Sequence, residues 1–292
     1  MRNSTYDLFT LFDQFNQVKF DGSRFLSLLL HGGENFPEAE ARKFIDEHFI
    51  FAFQASFIYI IVIFGTKFFM RNRDPFALFI PLTMWNFLMA TFSIVGTVKL
   101  APELFNTIRK HGVVNSYCFL YDYTKGESGY FVWLFVVSKL FEMIDTIFLV
   151  LRKRPLVFLH WYHHVITHLF GWFLYPRMPA FNRYGIFINL FVHSFMYSYF
   201  FIRSIKIQVP GFLARFVTSI QLLQFAIEFF IFSHSYVLLY IYQVKFDIDK
   251  YVLNMASFMD ITFLALFINY FYKTYIVQSG RTKYKFIAKK EQ

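Results

Sequence analysis

The sequence predicts an all-α integral membrane protein with about seven transmembrane helices, and three observations carry that prediction. The first is composition: of 292 residues, 57% are hydrophobic and only 16% charged, against roughly 25% charged in a soluble domain. The second is a recurrence of apolar runs, near 49–69, 76–98, 129–151, 156–175, 184–202, 211–241 and 252–274. Each has about the 20 residues that a helix needs to cross a bilayer core of about 30 Å. The third is charge alternation between the connections, because Lys and Arg are retained on the cytosolic side.

Taken in order, residues 1–48 read as a luminal N-terminal region, with Glu34, Glu38, Glu40, Asp46 and Glu47 crowded before the first span. Phe25 to Leu30 is too short, and too far from the start, for the core of a cleavable signal peptide, so the first span directs insertion. Asn3-Ser4-Thr5 in this region is an N-glycosylation acceptor. Lys67, Arg71 and Arg73 put the first connection in the cytosol, Arg152, Lys153 and Arg154 the third, and Arg203 and Lys206 the fifth. In the sixth connection Asp247 and Asp249 balance Lys245 and Lys250, which suits the lumen. The sixth run is too long for one simple crossing, so it tilts, breaks near Ser233-His234-Ser235, or begins at the interface. Residues 49–275 then form one seven-span membrane domain, and 276–292 a basic cytosolic tail. The tail ends Lys289-Lys290-Glu291-Gln292, whose dilysine spacing fits retrieval to the endoplasmic reticulum. Attraction of a lysine-rich end to anionic lipid is the alternative.

A lone cysteine, Cys118, excludes an internal disulfide framework and a CxxC zinc site. The 45 phenylalanines read as lipid-facing and interior bulk. No repeat, low-complexity segment or linker divides the chain.

Polar residues inside the spans are the informative exceptions, since a charge at a helix centre costs roughly 2.5 to 3.5 kcal/mol on insertion scales. Span 3 carries Lys139, Glu142, Asp145 and Thr146 on one helical face. An internal Lys139–Glu142 pair that merely ties helices together is the bland reading of that face. Span 4 carries His160, His163 and His164 at i, i+3 and i+4, a face able to hold a metal or present a nucleophile. Span 5 carries Asn189, His193, Met196, Tyr197 and Tyr199, and span 6 Thr218, Gln221 and Gln224. Such hydroxyls and amides often only bond neighbouring helices. Glu228 and Asp260, also in spans, are expected to face the protein interior.

Depth separates these readings. At about 1.5 Å per residue, the three histidines lie roughly 6 to 12 Å inside span 4 from its cytosolic end, and Glu142 and Asp145 roughly 9 to 14 Å inside span 3. His193 lies near about 14 Å, and Thr218 to Gln224 at roughly 10 to 20 Å. Four polar faces at one depth point to a shared chamber open to the cytosol. The luminal halves are almost wholly Phe, Leu, Ile, Val and Tyr, so the chamber suits an amphiphile with a charged head and a hydrocarbon tail. Arg152 and Arg154 at the mouth would attract phosphate, although the positive-inside pattern alone also places them there.

At these residues the chain resembles the ELO family of very-long-chain fatty acid elongases. The family's KxxExxDT motif matches Lys139, Glu142, Asp145 and Thr146, and its HxxHH box matches His160, His163 and His164. NxxxHxxMYxYY matches Asn189, His193, Met196, Tyr197 and Tyr199 but has Phe200 in place of a tyrosine. TxxQxxQ matches Thr218, Gln221 and Gln224, and the resemblance extends to Met84-Trp85-Asn86 in span 2. The spelling His-Trp-Tyr-His-His resembles the branch acting on saturated and monounsaturated acyl chains.

The resemblance implies that spans 2 to 7 surround an acyl-CoA tunnel. It also implies condensation of long-chain acyl-CoA with malonyl-CoA to 3-oxoacyl-CoA, carbon dioxide and CoA, in the endoplasmic reticulum membrane. With no cysteine at the site, an imidazole, mostly neutral at pH 7 with an ordinary pKa of about 6.5, can take the nucleophile's role. By analogy with the family, His163 forms an acyl-imidazole, although spacing alone does not separate it from His164. His193, Asn189 and Gln221 are candidate donors to the enolate, His160 and His164 orient or polarise, and Glu142 and Asp145 fix tautomers. Lys139, Asn189, Tyr197, Tyr199, Thr218, Gln221, Gln224, Arg152 and Arg154 are the expected substrate-binding set. No metal and no cofactor beyond the two CoA substrates is expected, and no nucleic acid. The expected partners are membrane lipid and the ketoacyl reductase, dehydratase and enoyl reductase of the elongation cycle, with self-association also open. A di-iron desaturase or hydroxylase would share HxxHH but needs about eight histidines in several boxes, and no second box is present. A seven-span receptor or transporter would lack a reason to gather these groups at one depth.

Overall fold

The computed structural model describes residues 20–245 and 247–277, so Asn3 and Lys289-Lys290 lie outside the described residues. The only regular structure among those residues is helical, with no strand. In chain order the helices are α1 (Gly22–Leu30), α2 (Glu38–Glu47), α3 (Phe49–Phe69), α4 (Phe79–Cys118), α5 (Gly126–Glu142), α6 (Ile144–Leu151), α7 (Phe158–Leu174), α8 (Asn182–Ser204), α9 (Gly211–Tyr240) and α10 (Lys250–Phe271). A single 3-10 turn, Met70–Asn72, follows α3, and a π-helical turn, Tyr272–Val277, follows α10. Among the described residues, five stretches are long and apolar enough to cross a membrane: Phe49–Asn72, Phe79–Cys118, Asn182–Ser204, Gly211–Tyr240 and Lys250–Val277. The other two expected spans are α5 with α6, which are separate helices, and α7, which has 17 residues.

Three elements differ from the sequence expectation. The second span was expected to end near 98, but α4 runs to Cys118, with Pro102 inside it and a non-helical Gly112 at φ 82°. Glycine carries no Cβ penalty there, so the chain kinks at Gly112 and resumes the helix. The sixth span does not break at Ser233-His234-Ser235, because α9 is continuous. The Ser235 hydroxyl donates to the Ile231 carbonyl within the helix, and the Tyr117 hydroxyl lies 2.5 Å from His234 Nδ1. At 30 residues and about 1.5 Å per residue, α9 exceeds a bilayer core of about 30 Å, leaving tilt or an interfacial start. The third span is the one interrupted, at Met143, where the Thr146 N–H bonds back only three residues.

Ends are set by local chemistry. Asp21 caps α1 and Asp249 caps α10, each side chain accepting from the first-turn N–H groups. After α6, Lys153 adopts a left-handed φ of 53°, and Arg154 N–H reaches the Leu149 carbonyl. This is the bond pattern of a Schellman cap, with lysine where glycine is usual.

The helices gather into two compact units. Among the described residues, the first takes in 20–75, Thr124–Leu156 and His164–Met178; the second takes in Phe76–Tyr123, Val157–His163 and 179–277. In the first unit α3 packs on α6, and α2 on α5. In the second, α4 and α8 make the most extensive contact, and α9 packs on both α8 and α10. Gly96 permits the α4–α8 approach, since a Cβ there would stand 3.0 Å from Leu190 Cδ1. Phe57, Phe212, Phe230 and Phe258 are exposed on outer faces, as lipid-facing side chains of spanning helices are.

Candidate active site

In the second unit, the α8 and α9 motifs meet through side chains. Asn189, His193 and Tyr197 recur every four residues, which stacks them along one face of α8. His193 and Tyr197 are buried with their rings edge to face, 5.5 Å apart. Asn189 Nδ2 donates to Gln224 Oε1 across 3.5 Å, and Gln224 Nε2 donates to Glu228 Oε1 at 3.0 Å. One turn away, Gln221 Nε2 points to Met196 Sδ at 3.4 Å. Thr218 donates to the Ala214 carbonyl at 3.1 Å and lies 3.1 Å from the Tyr275 hydroxyl. The two motifs thus form a polar seam between helices.

At the end of α8, Arg203 donates to the Tyr199 hydroxyl at 3.1 Å. Tyr199, Arg203, Lys206 and Gln208 line a cavity of about 570 Å³. Phe200, where the motif loses a tyrosine, is 44% exposed, and its ring lies 5.4 Å from that of Tyr199.

The first part of α7 also belongs to this unit. His160 and His163 are half-buried, and the His163 ring packs 5.0 Å from Phe263 of α10. Phe263 also meets Phe225 of α9 at 5.7 Å, and the Tyr162 hydroxyl lies 3.4 Å from Thr262 Oγ1. Asp260, one turn before Phe263, is fully buried, and Glu228 is buried as well.

In the first unit, Lys139 and Glu142 are 3% and 2% exposed, and their Nζ–Oε1 separation is 2.8 Å. Both members of the pair lie on α5. Ser138 donates to the same carboxylate at 3.3 Å, and the Lys139 ammonium sits 4.1 Å over the Phe135 ring. Thr146 is fully buried, 2.7 Å from the Tyr59 hydroxyl of α3, while Asp145 is half-buried. The remainder of α7 lies in this unit with His164 and His168 buried. It approaches α5 where Gly171 faces Val136.

Arg152 and Arg154 belong to this unit too, Arg154 lining a cavity beside Lys67 and Arg71. Burial, and then the neighbouring Arg154 charge, lower the Arg152 guanidinium from its ordinary value. Among the described residues, no three of His, Cys, Asp and Glu converge as a metal-binding group.

Several contributors were not singled out from sequence. Tyr59 and Phe263 are apolar-run residues whose partners become visible only in the fold. Arg183, at the start of α8, is 1% exposed and pairs with Glu103 of α4 at 3.0 Å. It also donates to the carbonyls of Ser116, Phe119 and Leu120. Its signal was an arginine entering an apolar span with an acid on an earlier one.

Residues 44–283 match the family model described as ELO, the GNS1/SUR4 family. The chain is 54% identical over 274 residues to long chain fatty acid elongase 1 of Caenorhabditis elegans, covering 94% of this chain and 95% of that one. It is 37% identical over 264 residues to very long chain fatty acid elongase 6 of Drosophila melanogaster, covering 87% and 81%. To the human protein of the latter name it is 32% identical over 251 residues, covering 85% and 93%. With the family model spanning most of its length and the family's four motifs on its helices, this chain belongs to the ELO family.

Proposed function

We propose that this protein condenses a long-chain acyl-CoA with malonyl-CoA by way of an acyl-imidazole on His163. Membership of the family makes the chain a fatty acid elongase, the condensing enzyme that lengthens an acyl chain by two carbons. In the proposed steps, His163 Nε2 or Nδ1 attacks the thioester carbonyl, the C–S bond breaks and CoA leaves. Malonyl-CoA then loses carbon dioxide, and its enolate carbon takes the acyl group from the imidazole. The 3-oxoacyl-CoA product departs and the histidine is restored.

The observation that supports this reading is the α8–α9 seam. Asn189, Gln221 and Gln224 are held by contacts of 3.5, 3.4 and 3.0 Å. Donors fixed before reaction stabilise a developing enolate without reorganising. Glu142 and Asp145 are assigned to fixing imidazole tautomers, and His160, His164 and His193 to orienting and polarising the acyl groups. The cavity of Tyr199, Arg203 and Lys206 is assigned to the CoA phosphates, which bind guanidinium and ammonium groups well.

The protein is further placed in the endoplasmic reticulum membrane with its N-terminus luminal, its C-terminus cytosolic and Lys289-Lys290 as retrieval signal. The reductases and dehydratase of the cycle are its proposed partners. The His160-Trp161-Tyr162-His163-His164 spelling favours saturated and monounsaturated chains. Incubating the purified protein with labelled malonyl-CoA and a panel of acyl-CoAs tests this: labelled 3-oxoacyl-CoA two carbons longer is expected, favouring those chains. His163→Ala is expected to lower turnover by at least about a thousandfold. Full activity in that variant removes His163 from the nucleophile's role.

A further inference from the structure

The first unit contains a second basic cavity, of about 760 Å³, where the end of α3 meets the α6 cap. Lys67, Arg71, Lys153 and Arg154 line it. No acidic residue is among the described residues of its lining. The positive-inside bias explains basic connections, but not their enclosure around one space. Enclosure comes from Lys153, whose left-handed backbone turns its side chain toward the first connection. There its ammonium donates to the carbonyls of Arg71 at 3.3 Å and Arg73 at 2.9 Å. Lys153 thereby stitches two connections together, while the Lys67, Arg71 and Arg154 side chains are exposed. The crowding of like charge extends to Arg152, whose guanidinium burial and Arg154 both disfavour. An anion would relieve that repulsion.

Below the cations the wall is apolar. Phe64 and Phe68, one turn apart on α3, also line the cavity, and they are 42% and 76% exposed on the outer face of that spanning helix. A ligand matching both halves has a phosphate at its head and hydrocarbon lying along α3 in the bilayer. Basic pockets at helix ends take anionic lipid headgroups for this reason.

We propose that this cavity binds an anionic glycerophospholipid, its phosphate among Lys67, Arg71 and Arg154 and an acyl chain along Phe64 and Phe68. The proposal does not rest on the condensation chemistry, and it assigns Arg154 to the lipid instead of to the substrate. The competing occupant is the nucleotide of an acyl-CoA, which also joins phosphate to hydrocarbon.

The test uses the full-length protein in phosphatidylcholine nanodiscs doped with phosphatidic acid, with bound lipid read by native mass spectrometry after release. Wild type is expected to retain phosphatidic acid in preference to phosphatidylcholine. Lys67→Gln with Arg71→Gln is expected to cut that retention roughly tenfold or more, while KM for acyl-CoA moves less than about twofold. Lys67→Arg with Arg71→Lys keeps the charge and is expected to keep the lipid, which controls for folding. Equal retention of the two lipids by wild type overturns the proposal, as does loss of lipid by the charge-conserving variant. A raised KM for acyl-CoA at unchanged lipid retention assigns the cavity to the substrate nucleotide and also overturns it.

Discussion

The two units bury polar groups by different means. In the first, opposite charges pair on one helix: Lys139 and Glu142 are three residues apart, 2.8 Å in contact and nearly inaccessible. In the second, neutral amides cross between helices, from Asn189 to Gln224 and from Gln221 to Met196. An ion in hydrocarbon is far costlier than an amide. A charge neutralised at short sequence distance lets α5 enter the bilayer already balanced, before any neighbour has docked. Amides tolerate a wait, so they can be reserved for aligning one motif against another.

The largest test of this contrast is Lys139→Met, which leaves Glu142 buried without its ammonium partner. It should destabilise the protein by about 3–5 kcal/mol, whereas Lys139→Met with Glu142→Leu should recover most of that loss. Thermal unfolding in micelles reads both, and a double variant as weak as the single one means the charges are not cancelled locally. Gln224→Leu comes next, removing bonds to Asn189 and Glu228 at an expected cost of about 1–3 kcal/mol. A double-mutant cycle with Asn189→Leu should return a coupling of only about 0.6 kcal/mol, the usual scale of such ties. A coupling of several kcal/mol would erase the distinction between the two units.

Gly96→Ala probes the α4–α8 packing in the second unit. Its new Cβ would meet Leu190 at 3.0 Å, so a loss of about 1 kcal/mol is expected, and Leu190→Ala in the same chain should relieve the clash.

The smallest effect lies outside the spans. Arg24 bonds Glu47 at 2.7 Å and holds that carboxyl below its ordinary 4.5, chiefly through the hydrogen bond. A depressed carboxyl pKa means the unfolded chain binds the proton more readily, so the contribution is present above about pH 4.5 and fades as pH falls through the lowered value. Hydrogen exchange in Gly22–Leu30, corrected for intrinsic rate, should accelerate selectively below that pH, and Arg24→Gln should weaken the pH dependence, leaving the part owed to the Asp21 cap.

Which features were legible in the sequence follows from the same physics. Apolar runs announce helices because a spanning backbone must bond to itself, so most span cores fall where the runs do. Their ends were not legible: α4 continues past its apolar run through Pro102, and the kink at Gly112 beyond it is registered by no hydropathy pattern. Nor was the polar triplet Ser233-His234-Ser235 a break, since Ser235 satisfies itself on Ile231. Helices α1 and α2 were invisible as structure, being short and held by Arg24 reaching Glu40 and Glu47. At the site, spacing located the residues of each face but not their partners. That Gln224 stands between Asn189 and Glu228, or that Arg183 gathers three carbonyls, depends on helix rotation and cannot be read from one helix at a time.

One experiment bears on the proposed chemistry without relying on turnover. The purified protein is incubated with acyl-CoA alone, and both free CoA and the intact protein mass are followed. One equivalent of CoA should be released before malonyl-CoA is added, with a single acyl adduct that maps to His163 and disappears when malonyl-CoA arrives. If neither adduct nor free CoA forms until malonyl-CoA is present, the acyl-imidazole is not an intermediate and the covalent route is wrong.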